Sequence, residues 1–168
     1  AGTALATRAG LERARFQNRL GQYRSAMQTL KTALKWADMG NDRWAQGMGH
    51  VLWGEALWRL GEYDLAAEKL THALAIAHVI DSTLIIGWCY HHLGIIHDIQ
   101  SRYAAAQDHL QQACTAWQHI DNGQALSATL NSIGSVSVQP RDLTAAQNAR
   151  DTTLPPCNQI INQQLEPR

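Results

Sequence analysis

The residues best suited to chemistry gather on one stretch. Cys89, His92 and Ile96 stand at i, i+3 and i+7, so a helix would bring the thiol and the imidazole to one face, with His91 and His97 nearby. Thiolate and imidazole are zinc ligands, but a structural zinc site needs four donors in tetrahedral geometry. The chain offers neither closely spaced cysteine pairs nor a His-Glu-x-x-His run. These histidines are therefore expected to be structural or surface residues, with no metal and no cofactor. Their other capacity is protonation: the chain holds eight imidazoles, which titrate near about pH 6.5 and would make it cationic in mild acid. Cys89, Cys114 and Cys157 cannot all pair within one chain and lack the spacing of a disulfide framework, which points to a reducing, cytoplasmic setting. No phosphate-binding glycine loop, nucleophile elbow or paired-carboxylate motif occurs, so the chain is not expected to be an enzyme.

What must position these groups is one domain. The chain has 168 residues, 45% hydrophobic and 17% charged, which suffices for a core and excludes wholesale disorder. Fourteen basic residues offset fourteen acidic ones, so no net charge draws the whole chain to nucleic acid or to anionic lipid. The longest nearly apolar run, residues 84–96, is too short to span a bilayer and contains His91 and His92. The chain opens at Ala1, without methionine and already in a helical pattern, and reads as a fragment of a larger protein.

An internal repeat organises it. Leu20-Gly21-Gln22-Tyr23 returns as Leu60-Gly61-Glu62-Tyr63 and, more loosely, as Gln100-Ser101-Arg102-Tyr103, with the tyrosines forty residues apart. Each tyrosine is followed by alanine (Ala26, Ala66, Ala106), leucine (Leu30, Leu70, Leu110) and alanine again (Ala33, Ala73, Ala113) in strict register. A further period places Leu143 and Ala146 in these columns but Arg150 where leucine belongs, so the fourth copy is degenerate. Upstream lies a column of small residues, Ala14, Gly54, Gly94 and Gly134. Glycine inside a helix costs about 1 kcal/mol against alanine, so its recurrence implies a close helix contact that outweighs propensity. Each period then holds two helices, in the second copy 44–60 and 63–79, with Gly61 as the turn between them. Asn41-Asp42, Asp81-Ser82 and Asp121-Asn122 mark the breaks, where short polar side chains can cap the next helix. The copies fall at about 4–43, 44–83, 84–123 and 124–163, forming one repeat domain over 1–168. Pro155-Pro156 forbids a regular helix there and leaves 154–168 as an irregular tail.

The pattern of an aromatic residue, Leu-Gly, an aromatic residue, then alanine and a large apolar residue resembles the tetratricopeptide repeat. Tyr90, Leu93, Gly94, Ala106 and Leu110 fit it closely, as do Trp53-Gly54, Leu57, Ala66 and Leu70. The period is longer than that family's usual 34 or so, and His78 and Gln118 occupy its terminal proline position. The longer period is similar to repeats in bacterial maltose-activator-type regulators, quorum-sensing peptide receptors and some eukaryotic scaffolds. The resemblance implies an all-α, right-handed α-solenoid of antiparallel helix pairs.

It also implies that the first helix of each pair lines a concave groove for a peptide or partner helix. By column, the groove would take Arg8, Leu11, Arg15, Asn18 and Arg19 from the first copy and Met48, Val51, Glu55, Trp58 and Arg59 from the second. The third would supply Trp88, His91, Ile95, Asp98 and Ile99, with Asn131 and Gln139 extending the rim. Arg15, Arg19 and Arg59 could hold the carboxylates of an acidic peptide, and Trp58 and Trp88 could anchor its apolar side chains. Equally, the arginines could be solvated or paired with Glu55 and Asp98. The family's carboxylate clamp is not reproduced, because Leu11 and Arg15 stand where lysine and asparagine would be expected. Of the six tryptophans most should be core, Trp53 among them, while Trp44 could be either. The expected role is a protein- or peptide-binding module of a regulatory or signalling protein, without direct nucleic-acid or membrane contact. The alternatives are a structural spacer or self-association module, and a small-molecule sensor with an enclosed pocket.

Overall fold

The computed structural model describes residues 2–137. Seven helices follow one another: α1 (Gly2–Arg19), α2 (Tyr23–Met39), α3 (Arg43–Arg59), α4 (Tyr63–Val79), α5 (Thr83–Ile99), α6 (Tyr103–His119) and α7 (Gly123–Ser137), with no strand among the described residues. From α2 onward a helix starts every twenty residues, so each pair spans forty. The second-copy expectation of 63–79 coincides with α4, and that of 44–60 is displaced by one residue in α3. The remainder of the fourth copy, including Gln139, Leu143, Ala146, Arg150, Pro155-Pro156, Cys157 and the 154–168 tail, lies outside the described residues.

The regularity comes from the turns. At each junction one residue takes the left-handed conformation: Gly21, Asn41, Gly61, Asp81, Ser101 and Asp121 have φ between 48° and 85°. Glycine adopts it without penalty, and asparagine and aspartate tolerate it better than most residues. In the first turn the Gln22 N–H donates to the Gln17 carbonyl (2.9 Å) and the Gly21 N–H to that of Asn18 (3.0 Å), closing the helix end. The same pair of bonds recurs at Asn41-Asp42, Gly61-Glu62, Ser101-Arg102 and Asp121-Asn122. Capping of the following helix is less uniform. Asp42 accepts from the Ala45 N–H (2.9 Å) and Asn122 from that of Ala125 (3.2 Å). Ser82 makes no side-chain cap bond, contrary to expectation, so α5 starts with that orphan donor unfilled by its cap residue.

Packing follows the sequence columns. Ala26, Ala66 and Ala106, Leu30, Leu70 and Leu110, and Ala33, Ala73 and Ala113 are all buried. Each leucine so removed from water stabilises the fold by roughly 1.5–3 kcal/mol. The glycine column exists to admit them. A Cβ at Gly54 would stand 2.7 Å from Leu70 Cγ, and one at Gly94 2.6 Å from Leu110 Cγ. Gly134, in the same column, has no described residue within 4 Å of such a Cβ. A second column, Gly47 and Gly87, makes room for Ile85 and for the Trp117 ring.

Helices pack as antiparallel pairs α1–α2, α3–α4 and α5–α6, each pair resting on the next. The first helices also touch one another, α1 to α3, α3 to α5 and α5 to α7, whereas the second helices scarcely do. The array therefore curves with the first helices on its inner face.

Candidate functional site

On that inner face a cavity of about 320 Å³ opens between α1, α3, α5 and the start of α7, within the size range of ligand sites. Its rim carries Arg15 and Arg19; its floor is Met48 and Val51; Leu84, Trp88 and His92 wall it from α5. Arg15 pairs with Glu12 at 3.1 Å, one turn back on the exposed side of α1. Among the described residues neither Glu55 nor Asp98 takes up an arginine. Instead the buried Asn18 Nδ2 donates to Glu55 Oε2 (3.1 Å) and to the Leu52 carbonyl (2.9 Å), tying α1 to α3 and holding Glu55 at the cavity edge.

His92 stacks on Trp88 (ring centroids 5.8 Å, planes 20° apart), and its Nδ1 is buried without a hydrogen-bond partner among the described residues. Burial, and then the nearby Arg59 charge, push its pKa down to about 3, so the ring is neutral. The cavity thus has two guanidinium groups at its mouth, a carboxylate at one side, and a largely apolar depth walled by Trp88 and the neutral His92 ring.

The other expected groove residues distribute differently. Asp98, Ile95 and Asn131 line a separate opening of about 300 Å³ between α5 and α7. Burial raises the Asp98 carboxyl above its usual range. Arg8 lies over Trp44 (4.5 Å to the ring centroid) and Arg59 over Trp58 (4.2 Å), each in cation–π contact. Trp58 is half-buried beside Leu57, Leu93 and Ile96. Leu11, Met48 and Val51 are core residues, and Ile99 is exposed at the end of α5. Gln139 lies outside the described residues.

His91 corrects the sequence reading most clearly. It is buried, not presented to the groove, and its Nδ1 lies 2.9 Å from Thr129 Oγ1 on α7. Thr129 also accepts from the fully buried Trp117 Nε1 (2.9 Å) and donates to the Ala125 carbonyl (2.9 Å). With the hydroxyl proton committed to Ala125, the set is complete when His91 donates from Nδ1. Burial holds His91 neutral, its pKa pushed down to about 3. His50 is likewise lowered to about 4, mainly by burial. A general histidine titration in mild acid is therefore not available to these rings.

Column reasoning missed His92, Leu84 and the polar pair Asn122 and Gln124, all of which line the cavity. Leu84, Trp88 and His92 are spaced i, i+4, i+8, so extending the Trp88 stripe by a turn in each direction would have found two of them. Asn122 and Gln124 carry no such signal, because the curvature of the array brings them in.

Among the described residues no three His, Cys, Asp or Glu side chains are placed to hold a metal ion. Cys89 is a buried free thiol with its pKa pushed up to about 12 by desolvation. No described helix is long and apolar enough to cross a membrane. Clefts of about 540 Å³ beside Trp36 and about 640 Å³ beside Tyr90 lie within the first and third helix pairs and are open to solvent.

An all-helical array of consecutive pairs, with its first helices lining a groove, defines an α-solenoid repeat protein. A family model described as tetratricopeptide repeat matches residues 47–119, so the stretch from α3 to α6 is made of tetratricopeptide repeats, and α1 and α2 continue it in register. Such repeats generally mediate protein–protein interactions. No curated protein matches the sequence closely enough to count as a relative.

Proposed function

We propose that this chain is the protein-interaction module of a larger regulatory or signalling protein in a reducing cytoplasm, and that its inner groove binds an acidic peptide segment. The observation that carries the reading is the cavity between α1, α3 and α5, which sets Arg15 and Arg19 above an apolar floor backed by Trp88. A ligand carboxylate can engage Arg19, which has no ion pair among the described residues, and can compete for Arg15, whose partner Glu12 is largely exposed. Charge-assisted bonds of this kind set orientation, while burying an apolar side chain against Trp88 and Leu84 supplies the larger part of the affinity. Glu55, fixed by Asn18, favours a peptide amide or a basic side chain beside the acidic one.

Peptides selected from a random display library on the intact chain test this. Those retained should combine aspartate or glutamate with a large apolar residue. Replacing Arg15, Arg19 and Arg59 together by alanine should weaken them about tenfold or more and flatten their salt dependence. Selection of neutral or basic peptides, or affinity unchanged in the triple variant, refutes the assignment.

A further inference from the structure

The opening between α5 and α7 owes its chemistry to a change in one repeat column. Asp98, Ser132 and Ser135 stand two periods after Asn18, Leu52 and Glu55. Where α1 meets α3, Asn18 Nδ2 donates to the Leu52 carbonyl (2.9 Å) and to Glu55 (3.1 Å), so a donor of the chain itself clasps the two helices. Where α5 meets α7, that amide is replaced by a carboxylate, which when ionised accepts hydrogen bonds and donates none. A cavity of about 300 Å³ lies there.

The Asp98 carboxylate is uncompensated. It stands in the last turn of α5, where the helix dipole disfavours negative charge. Burial raises its carboxyl above the ordinary range, and among the described residues no lysine, arginine or histidine pairs with it. Ser132 Oγ, in the same cavity, donates to the Ala128 carbonyl (3.2 Å), which leaves its lone pairs for another donor. Ile95 and Val136 complete the lining with apolar surface. A carboxylate and hydroxyl oxygen beside an apolar wall match a long basic side chain, whose methylene stem lies along the wall while its head reaches the oxygens. The charge of the array is divided in the same sense: residues 4–43 hold eight Lys/Arg and three Asp/Glu, whereas residues 44–123 hold three and eight.

We infer that the peptide held by the inner groove carries, beyond its acidic and apolar residues, a lysine or arginine that enters the α5–α7 cavity and pairs with Asp98. This rests on the groove assignment proposed above and gives the ligand a polarity, acidic towards α1 and basic towards α7. Trp88 and Asp98 are ten residues apart on α5, about 15 Å of helix. An extended peptide covers that distance in about four or five residues.

The probes are fluorescein-labelled peptides in which Asp-Glu-Leu is followed by a spacer of four Gly/Ser residues and then lysine, made in both chain directions and titrated with the intact 168-residue chain by anisotropy. In the tighter direction, the lysine peptide should bind about tenfold more tightly than its glutamine counterpart in low salt, and Asp98→Asn should reduce that ratio to about twofold or less. Shortening the lysine to diaminopropionate should forfeit the same advantage, because the stem no longer spans the wall. A ratio near one in the parent, or a ratio that survives Asp98→Asn, overturns the inference. Peptides with Asn-Gln in place of Asp-Glu test the arginine site by itself: unchanged affinity with the lysine ratio intact refutes that site and upholds the pairing with Asp98. Binding by none of the peptides refutes both. Asp98→Asn should also leave the thermal midpoint level or raise it, since it removes an unpaired charge from a helix C-terminus. A lowered midpoint would show the carboxylate engaged within the chain and would equally overturn the inference.

Discussion

Substituting alanine at Gly94 and at Gly134 makes the same chemical change in the same repeat column, and the structure assigns it opposite signs. Both positions lie within helices, so each substitution recovers up to about 1 kcal/mol of helix propensity. At Gly94 the new methyl would meet Leu110 Cγ at 2.6 Å and the Ala106 carbonyl oxygen at 3.2 Å. Leu110 is completely buried and the clash falls at its branch point, so neither the side chain nor the α6 backbone can step aside freely. Overpacking of this sort costs about 1–3 kcal/mol. The net expectation for Gly94→Ala is a loss of about 1–2 kcal/mol, and Gly54→Ala, facing Leu70 at 2.7 Å, should behave alike. At Gly134 no described residue lies within 4 Å, so against these neighbours only the propensity gain remains. Urea and thermal unfolding followed by circular dichroism read the difference directly. At about 2–4 °C per kcal/mol for a chain of this size, the midpoints of Gly94→Ala and Gly134→Ala should separate by roughly 5–10 °C, with the parent between them. Shifts in the same direction would show that the glycine column does not exist to admit the facing leucine.

Two further outcomes follow from the buried polar groups. Thr129→Val leaves Trp117 Nε1 and His91 Nδ1 buried without their shared acceptor, which should cost roughly 2–4 kcal/mol, whereas Thr129→Ser should retain most of the stability. A valine variant within about 0.5 kcal/mol of the parent, as for an ordinary surface change, would remove this network from the account. Stability should also fall in acid in a defined window. His91 and His92 stay neutral in the fold down to about pH 3, while the unfolded chain takes up protons below about pH 6.5. The unfolded state therefore binds more protons throughout that interval and stability declines as pH drops, on the order of 2 kcal/mol per ring by about pH 5. Urea midpoints measured between about pH 7.5 and pH 5 test the slope. His92→Leu, which discards a ring nitrogen without a partner among the described residues, should remove about a third of it, because His50 and His91 keep their share. A flat profile for the parent would contradict the burial of these rings.

How much of this was legible in the sequence differs from feature to feature. The alanine and leucine columns and the turn at Gly61 could be read from spacing alone, because a helix pair that repeats its contacts must repeat its small and large residues in register. The cap at Asp42 was legible for the same local reason, while Ser82, of equally suitable type, makes no such bond. Groove residues were legible only as a set of columns. Position along the first helices identified Arg15, Arg19, Glu55 and Trp88, but it could not say that Asn18 would take Glu55 or that His91 would turn inward to Thr129.

The chain by itself determined its helices, their twenty-residue rhythm, and the seams along which they pack, since these rest on contacts between neighbours in sequence order. Tertiary structure alone decided the rest. Which arginine faces the cavity, which histidine is buried, and which glycine is crowded depend on how successive pairs curve over one another. That curvature sums many small interhelical contacts, and no single residue encodes it.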